Sequence, residues 1–138
     1  TERVGFVAGL ATLKEMKRIR SWEKITKLGN KFRNGLRDIA KSNRLKIDIS
    51  GLPALTNYEI KHENSDIYHA FISQEMLKKG FLSTQSFYAS TSHNTKGINQ
   101  YLDHIDKLFK IISKNLNNKN FINNLSGPLP IKPFKRMN

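Results

Sequence analysis

Cysteine is absent from all 138 residues, which excludes disulfides, thiolate metal sites and cysteine nucleophiles. Long apolar runs are absent too: none approaches the roughly 20 residues a membrane-spanning helix requires. No secretory leader pattern is present, and the chain opens Thr1-Glu2-Arg3 without a methionine. That opening is read as processing or as a piece of a longer polypeptide. Acidic residues are few, 11 Asp plus Glu against 24 Lys plus Arg, for a formal charge of +13. Of the four prolines, Pro128, Pro130 and Pro133 follow Gly127 and forbid regular structure there.

The usual catalytic constellations are missing as well. His62, His69, His93 and His104 stand in no H-E-x-x-H or comparable metal-ligand spacing. His69 and His104 are expected on helices in partly exposed structural roles. No G-x-S-x-G elbow, Walker loop or G-x-G-x-x-G fingerprint occurs. Asp103 and Asp106 read as carboxylates on a helix surface. Taken from its residues alone, the chain is a basic domain without a self-sufficient active site.

What is present is a clear alternation of periodicities. At 138 residues, with 38% hydrophobic and 25% charged residues, one soluble domain is expected, burying about two-thirds of its unfolded surface. Val4 to Ile19 predicts a helix whose first turns are apolar almost all round, through Phe6, Val7, Leu10 and Leu13. Such a helix needs cover on more than one side, and we read it as a docking surface for a missing domain or subunit. Ser21 is the expected cap of a second helix, with Glu23 in its first turn. Its apolar stripe is Trp22, Ile25, Gly29, Phe32, Leu36, Ile39 and Ala40; its other faces carry Lys24, Lys27, Lys31, Arg33, Arg37, Lys41 and Arg44. This basic helix supports an alternative reading as a nucleic-acid-binding module, and the lack of a self-sufficient active site leaves a second alternative, a non-catalytic docking domain. No aromatic interrupts it to stack bases, so a solvated face is the preferred reading, and nucleic acid is not the expected partner.

Leu45 to Ile49 alternates as a half-buried strand, Ser50-Gly51-Leu52-Pro53 punctuates it, and Ala54 to Ile60 is a second, antiparallel strand. Residues 62–65 form a polar loop. A third helix carries Ile67, Tyr68, Phe71, Ile72 and Met76 on one stripe, with N-cap oxygens from Asn64, Ser65 or Asp66 and a left-handed Gly80 at its end. Phe81-Leu82 is expected as a brief buried run, Ser83 to Ser86 as a polar loop, and Phe87 to Thr91 as a strand. Asn94 or Thr95 caps a last helix with the apolar face Ile98, Tyr101, Leu102, Ile105, Leu108, Phe109 and Ile112. From Asn115 onward the chain is Asn-rich and then Pro-rich, and reads as disordered or laid over a surface outside this chain.

Three stretches carry a resemblance. Met76-Leu77-Lys78-Lys79-Gly80, Ser90-Thr91-Ser92-His93 followed by Thr95, and the opening Glu2-Arg3-Val4-Gly5 together resemble the C-terminal small domain of class III aminotransferases that depend on pyridoxal phosphate. The nearest branch is the one resembling glutamate-1-semialdehyde aminomutase. Ser50-Gly51 with Leu55, and Phe134-Lys135-Arg136 near the end, fit the same pattern, so the likeness spans nearly the whole chain.

The resemblance implies a fold-type I small domain: α+β, two layers, helices packed on one face of a short, mainly antiparallel sheet. Residues 1–114 would form it, with 4–19 as the connecting helix and 115–138 as a tail. It implies Thr84, Gln85, Ser86 and Tyr88 as the positions facing the substrate, and no catalytic or cofactor-binding residue in this chain. The lysine that holds pyridoxal phosphate, and the aspartate that keeps its ring nitrogen protonated, belong by resemblance to a preceding large domain. The implied complete enzyme is a cytoplasmic homodimer acting on a small amino-acid-like or amino-sugar substrate, without a membrane partner. This chain alone would bind no cofactor and turn nothing over. Aminomutases of that branch carry Phe-Glu-Ala-Gly-Phe at the loop, where this chain has Gln85. An amide cannot serve as that carboxylate does, so ordinary amino-group transfer is the expected chemistry.

Overall fold

A computed structural model describes residues 2–129 of the chain. The element order is α1 (Val4–Ile19), α2 (Ser21–Ser42), β1 (Ile47–Leu52), β2 (Leu55–Ile60), α3 (Ser65–Leu77), β3 (Ser86–Tyr88), α4 (Thr95–Lys114) and a 3-10 turn, Phe121–Asn124. The strands form one antiparallel sheet in the order β1-β2-β3. The helices α2, α3 and α4 cover one face of it. The expected α+β class holds.

The core follows from two helical stripes meeting an alternating strand pair. Leu28, Phe32, Leu36 and Ala40 of α2, with Ile98, Leu102, Ile105, Phe109 and Ile112 of α4, are buried together at the i, i+3, i+4 spacing that makes one helix face apolar. Strand β2 points Thr56, Tyr58 and Ile60 inward and leaves Leu55, Asn57 and Glu59 outward, the period-two pattern of a sheet covered on one side. Helix α2 approaches the β1–β2 hairpin closely at Gly29, where an added Cβ would lie 1.9 Å from the Pro53 carbonyl oxygen. Helix α4 is capped as expected, with Asn94 Oδ1 accepting from the Gly97 amide at 2.8 Å. Gly80, at φ 81°, ends α3: Phe81 N–H reaches Met76 O and Gly80 N–H reaches Leu77 O, closing the last turn as a left-handed residue allows.

Several local expectations are corrected. Ser21 caps nothing: it is buried inside α2 with its hydroxyl unpaired, and the residue before the helix is Arg20, left-handed at φ 49°. That conformation turns the chain between α1 and α2. No side-chain cap forms at the start of α3. Leu82 is 92% exposed, so only Phe81 of the expected buried pair packs inward, its ring edge-on to Tyr101. Strand β3 stops at Tyr88 because β2 offers it partners only from Leu55 to Asn57. The first strand begins at Ile47, two residues later than expected, and runs through Ser50 and Gly51, so the hairpin turn falls on Pro53-Ala54.

The segment after Asn115 is held by the domain itself as far as it is described. Phe121 is 2% exposed and sits edge-on to Tyr68 and Phe71, 5.1 Å from each ring. Gln74 of α3 donates to Asn124 O at 3.0 Å and accepts from the Ser126 amide at 2.6 Å. Phe134-Lys135-Arg136, and the last prolines, lie outside the described residues.

Candidate functional site

The face of the sheet away from the helices carries three cross-strand rows, set by register. Leu52, Leu55 and Tyr88 stand opposite one another at the hairpin end; Ser50, Asn57 and Ser86 form the next row; Asp48 and Glu59 form the third. Opposed residues of antiparallel strands point to the same side, and alternate rows lie about 7 Å apart. The apolar row is open to solvent: Leu52 is 70%, Leu55 39% and Tyr88 68% exposed. The polar rows border a cavity of about 370 Å³ lined by Asp48, Ser50, Asn57, Glu59, Asp66 and Gln85. One surface thus passes from hydrocarbon, through neutral amide and hydroxyl groups, to carboxylates.

The loop that supplies Gln85 is fixed from below. Ser83 is buried, its carbonyl accepts from Ser73 Oγ at 2.8 Å, and its hydroxyl lies 2.6 Å from the Tyr101 hydroxyl. At the other end Gln85 O accepts from the Tyr58 amide at 2.9 Å. The buried Tyr58 hydroxyl makes no hydrogen bond of normal geometry. Burial, reinforced by the neighbouring Tyr101, pushes its pKa well above the usual tyrosine range. Burial raises Tyr101 too, against the hydrogen bond from Ser83. Both phenols therefore stay neutral and act as supports.

Of the four residues singled out in the sequence, three converge on the open face. Gln85 lines the cavity, its side chain without a partner among the described residues. Ser86 donates to Asn57 Oδ1 at 2.5 Å. Tyr88 completes the apolar row. Thr84 is occupied locally: its hydroxyl accepts from Ser86 N–H and donates to Ser86 O, a closed turn that shapes the loop. Sequence reading missed Ser50, Leu52, Leu55 and Asn57. Their signal was the outward phase of the strand alternation, which becomes a site only once the hairpin register is known.

The histidines do not join this face. His69 is buried, a correction to the partly exposed position expected for it; its Nε2 accepts from the Ile60 amide at 3.4 Å. Burial lowers its pKa to about 4, against the raising influence of Asp66 and Glu59. His93 Nδ1 accepts from Ser90 N–H at 3.0 Å and so holds the Ser-x-x-His turn. No group of three metal-ligating side chains forms among the described residues.

Pyridoxal phosphate can be tested against the lysines. A lysine that bonds the cofactor needs a depressed pKa. Lys61, the ammonium at the acidic row, lies 2.6 Å from Glu59 and 3.5 Å from Asp48; its hydrogen bond to Glu59 raises its pKa. Lys61 therefore does not fit the role of a cofactor-bonding lysine, and no step of that chemistry is assigned to it. The basic helix α2 spends two of its cations on this chain's own backbone carbonyls, Lys24 on Thr91 O at 2.7 Å and Arg33 on Gly51 O at 2.8 Å.

Helix α1 stands apart from the body with no residue buried. Phe6 is 84% exposed, and Val4, Val7, Leu10 and Leu13 exceed half. No helix among the described residues is long and apolar enough to cross a membrane.

No family model and no curated protein sequence matches the chain. Among solved structures, the FumI protein of Sphingopyxis sp. MTA144, in its pyridoxal-phosphate internal aldimine form, is similar in fold, with a TM-score of 0.71 and 17% identity over 84% of this chain. This chain spans 28% of that protein's length. The chain thus has the fold of part of a pyridoxal-phosphate-binding protein.

Proposed function

We propose that this chain is part of a pyridoxal-phosphate-dependent aminotransferase of the class III type, and that its open sheet face is one wall of the substrate cleft. One observation carries the reading. Gln85, Ser86 and Tyr88, which the family resemblance puts at the substrate, share the uncovered face of a domain whose fold matches part of a pyridoxal-phosphate protein. The cofactor and the lysine that holds it belong to a larger domain of the same enzyme, whose surface covers the apolar helix α1. The complete enzyme works as a homodimer.

Within that enzyme the cofactor supplies the electron sink for moving an amino group from an amine to a 2-oxo acid. This chain's residues bind and orient. The neutral amide of Gln85 offers both a donor and an acceptor but no charge. It can hold a hydroxyl or carbonyl of the substrate, while the proton acceptance of an aminomutase glutamate is denied to it. Amino-group transfer rather than an intramolecular shift of the amino group is the activity that follows.

The experiment has two arms. Pyridoxal phosphate added to the 138-residue chain should produce no stoichiometric visible absorption band and no transamination. The polypeptide encoded by the complete reading frame should show that band, and should form an amino acid from a 2-oxo acid at the expense of an amine. A stoichiometric band from this chain alone, or a reading frame without a lysine-bearing large domain, overturns the proposal.

A further inference from the structure

We propose that the α1–α2 junction is a hinge gated by docking: cover on α1 holds the chain bent at Arg20, and without cover α1 and α2 also join into one continuous helix over residues 4–42. The inference rests on the reading that a larger domain of the same enzyme covers α1, and adds what that contact does to the rest of the chain. Its ground is a helix break that the local sequence does not ask for. Arg20 is left-handed, at φ 49° and ψ 49°, which a residue with a Cβ adopts at a roughly ten-fold disadvantage. Lys17 to Glu23 contains no Gly or Pro, the residues that otherwise break a helix. No side chain caps the start of α2. What holds the bend within this chain is weak. The Arg20–Glu23 ion pair is solvent-exposed on both sides, where salt bridges contribute little, and α1 buries no residue.

Arg44 shows what a supported left-handed residue looks like. It is the one other non-glycine residue with positive φ among the described residues, at 54°. There Leu45, the next residue, is 5% exposed, and its amide donates to Ala40 O at 2.9 Å, so packing offsets the strain. Nothing comparable follows Arg20: Ser21 is buried with its hydroxyl unpaired, which costs stability. A chain bent at Arg20 must also start α1 as a separate helix with its own unfavourable first turn, whereas a straight chain extends α2 by propagation alone. Contacts along the exposed Phe6, Leu10 and Leu13 are what reverse that preference. The sheet is carried along with α2, whose backbone meets the β1–β2 hairpin at Gly29. The wall therefore takes a fixed orientation only once α1 is docked.

Distances between two spin labels read the hinge directly. The chain has no cysteine, so Arg3→Cys and Lys31→Cys take the labels uniquely. In one straight helix their Cα atoms lie about 42 Å apart, and a bend at Arg20 shortens that. The labelled chain is diluted into unlabelled chain, so that copies associating through α1 do not register. The 138-residue chain should show the long distance beside a shorter one. Arg20→Gly removes the left-handed penalty and should raise the short-to-long ratio about ten-fold. Arg20→Ile, whose branched side chain resists that conformation, should lower it. Position 20 is exposed, and an unchanged thermal melt shows that each variant folds. The same labels in the polypeptide of the complete reading frame, its own cysteines replaced, should show the short distance alone.

Absence of the long distance from the 138-residue chain overturns the proposal, as does a ratio that neither substitution moves or a long distance that persists in the complete polypeptide. None of these outcomes bears on whether a lysine-bearing domain completes the enzyme, which the cofactor experiment decides separately.

Discussion

The Tyr101 hydroxyl lies 2.6 Å from Ser83 Oγ, at the point where the loop bearing Gln85 leaves the core. Tyr101 also packs against Phe32 and Phe81, so its hydroxyl is aimed by a ring that cannot easily move. Removing that hydroxyl strands a buried serine, whereas removing both hydroxyls strands nothing. Tyr101→Phe and Ser83→Ala should each cost about 1–2 kcal/mol, and the double variant less than their sum. A urea-denaturation cycle measures the coupling. Faster amide exchange at 84–86 in Tyr101→Phe would show that the loop has been released.

Two glycines of α2 should respond oppositely to alanine. At Gly29 the new methyl would meet Pro53 backbone at 1.9 Å, an atom that cannot give way without moving the hairpin. At Gly35 it would meet Leu102 Cδ1 at 2.4 Å, the far end of a flexible side chain. Alanine contributes up to about 1 kcal/mol of helix propensity at either site. Gly29→Ala is therefore expected to lose about 3 kcal/mol or fail to fold, while Gly35→Ala stays within about 1 kcal/mol of the parent. Thermal melts of the pair decide this.

Much of the fold was legible because helices α2 and α4 state their faces in period 3.6, and the β1–β2 strands state theirs in period two. What stayed hidden depended on partners distant in sequence. Phe121 sits in an Asn-rich segment with no periodicity, and only the cleft between Tyr68 and Phe71 gives it a place. Replacing Phe121 with alanine should cost about 3 kcal/mol, a magnitude that a loose tail could not produce. The site divides in the same way. Gln85, Ser86 and Tyr88 were singled out by resemblance, but Ser50 and Asn57 stand beside them only through strand register, which single-residue composition does not encode. His69 was misjudged because its burial is set by Ile60 and Tyr58, which lie on a different element.

Helix α1 should contribute almost nothing to the stability of the isolated domain, since it buries no side chain. Changing Phe6, Leu10 and Leu13 together to lysine is expected to leave the urea midpoint within about 0.5 kcal/mol of the parent. The parent, exposing a contiguous apolar helix, should associate as its concentration rises, and the triple variant should stay monomeric by light scattering. A large loss of stability in the triple variant would mean that α1 packs on the body.

The pH dependence of stability should carry the imprint of His69. Its pKa in the folded chain is about 4, depressed from 6.5 chiefly by burial. Because the folded value is the lower one, protons bind preferentially to the unfolded chain below pH 6.5. Stability is then undiminished above that pH and falls as pH drops toward 4, where folded His69 itself takes up a proton and the loss levels off. The span of the shift corresponds to a loss on the order of 3 kcal/mol. Carboxylates held low by basic partners, such as Glu75 beside Lys78, lose their contribution only below their ordinary range, which separates the two effects. His69→Gln keeps an acceptor for the Ile60 amide but cannot titrate. Urea midpoints taken from pH 7 to pH 4 should therefore slope steeply in the parent and run nearly flat in the variant; equal slopes would place the acid sensitivity elsewhere.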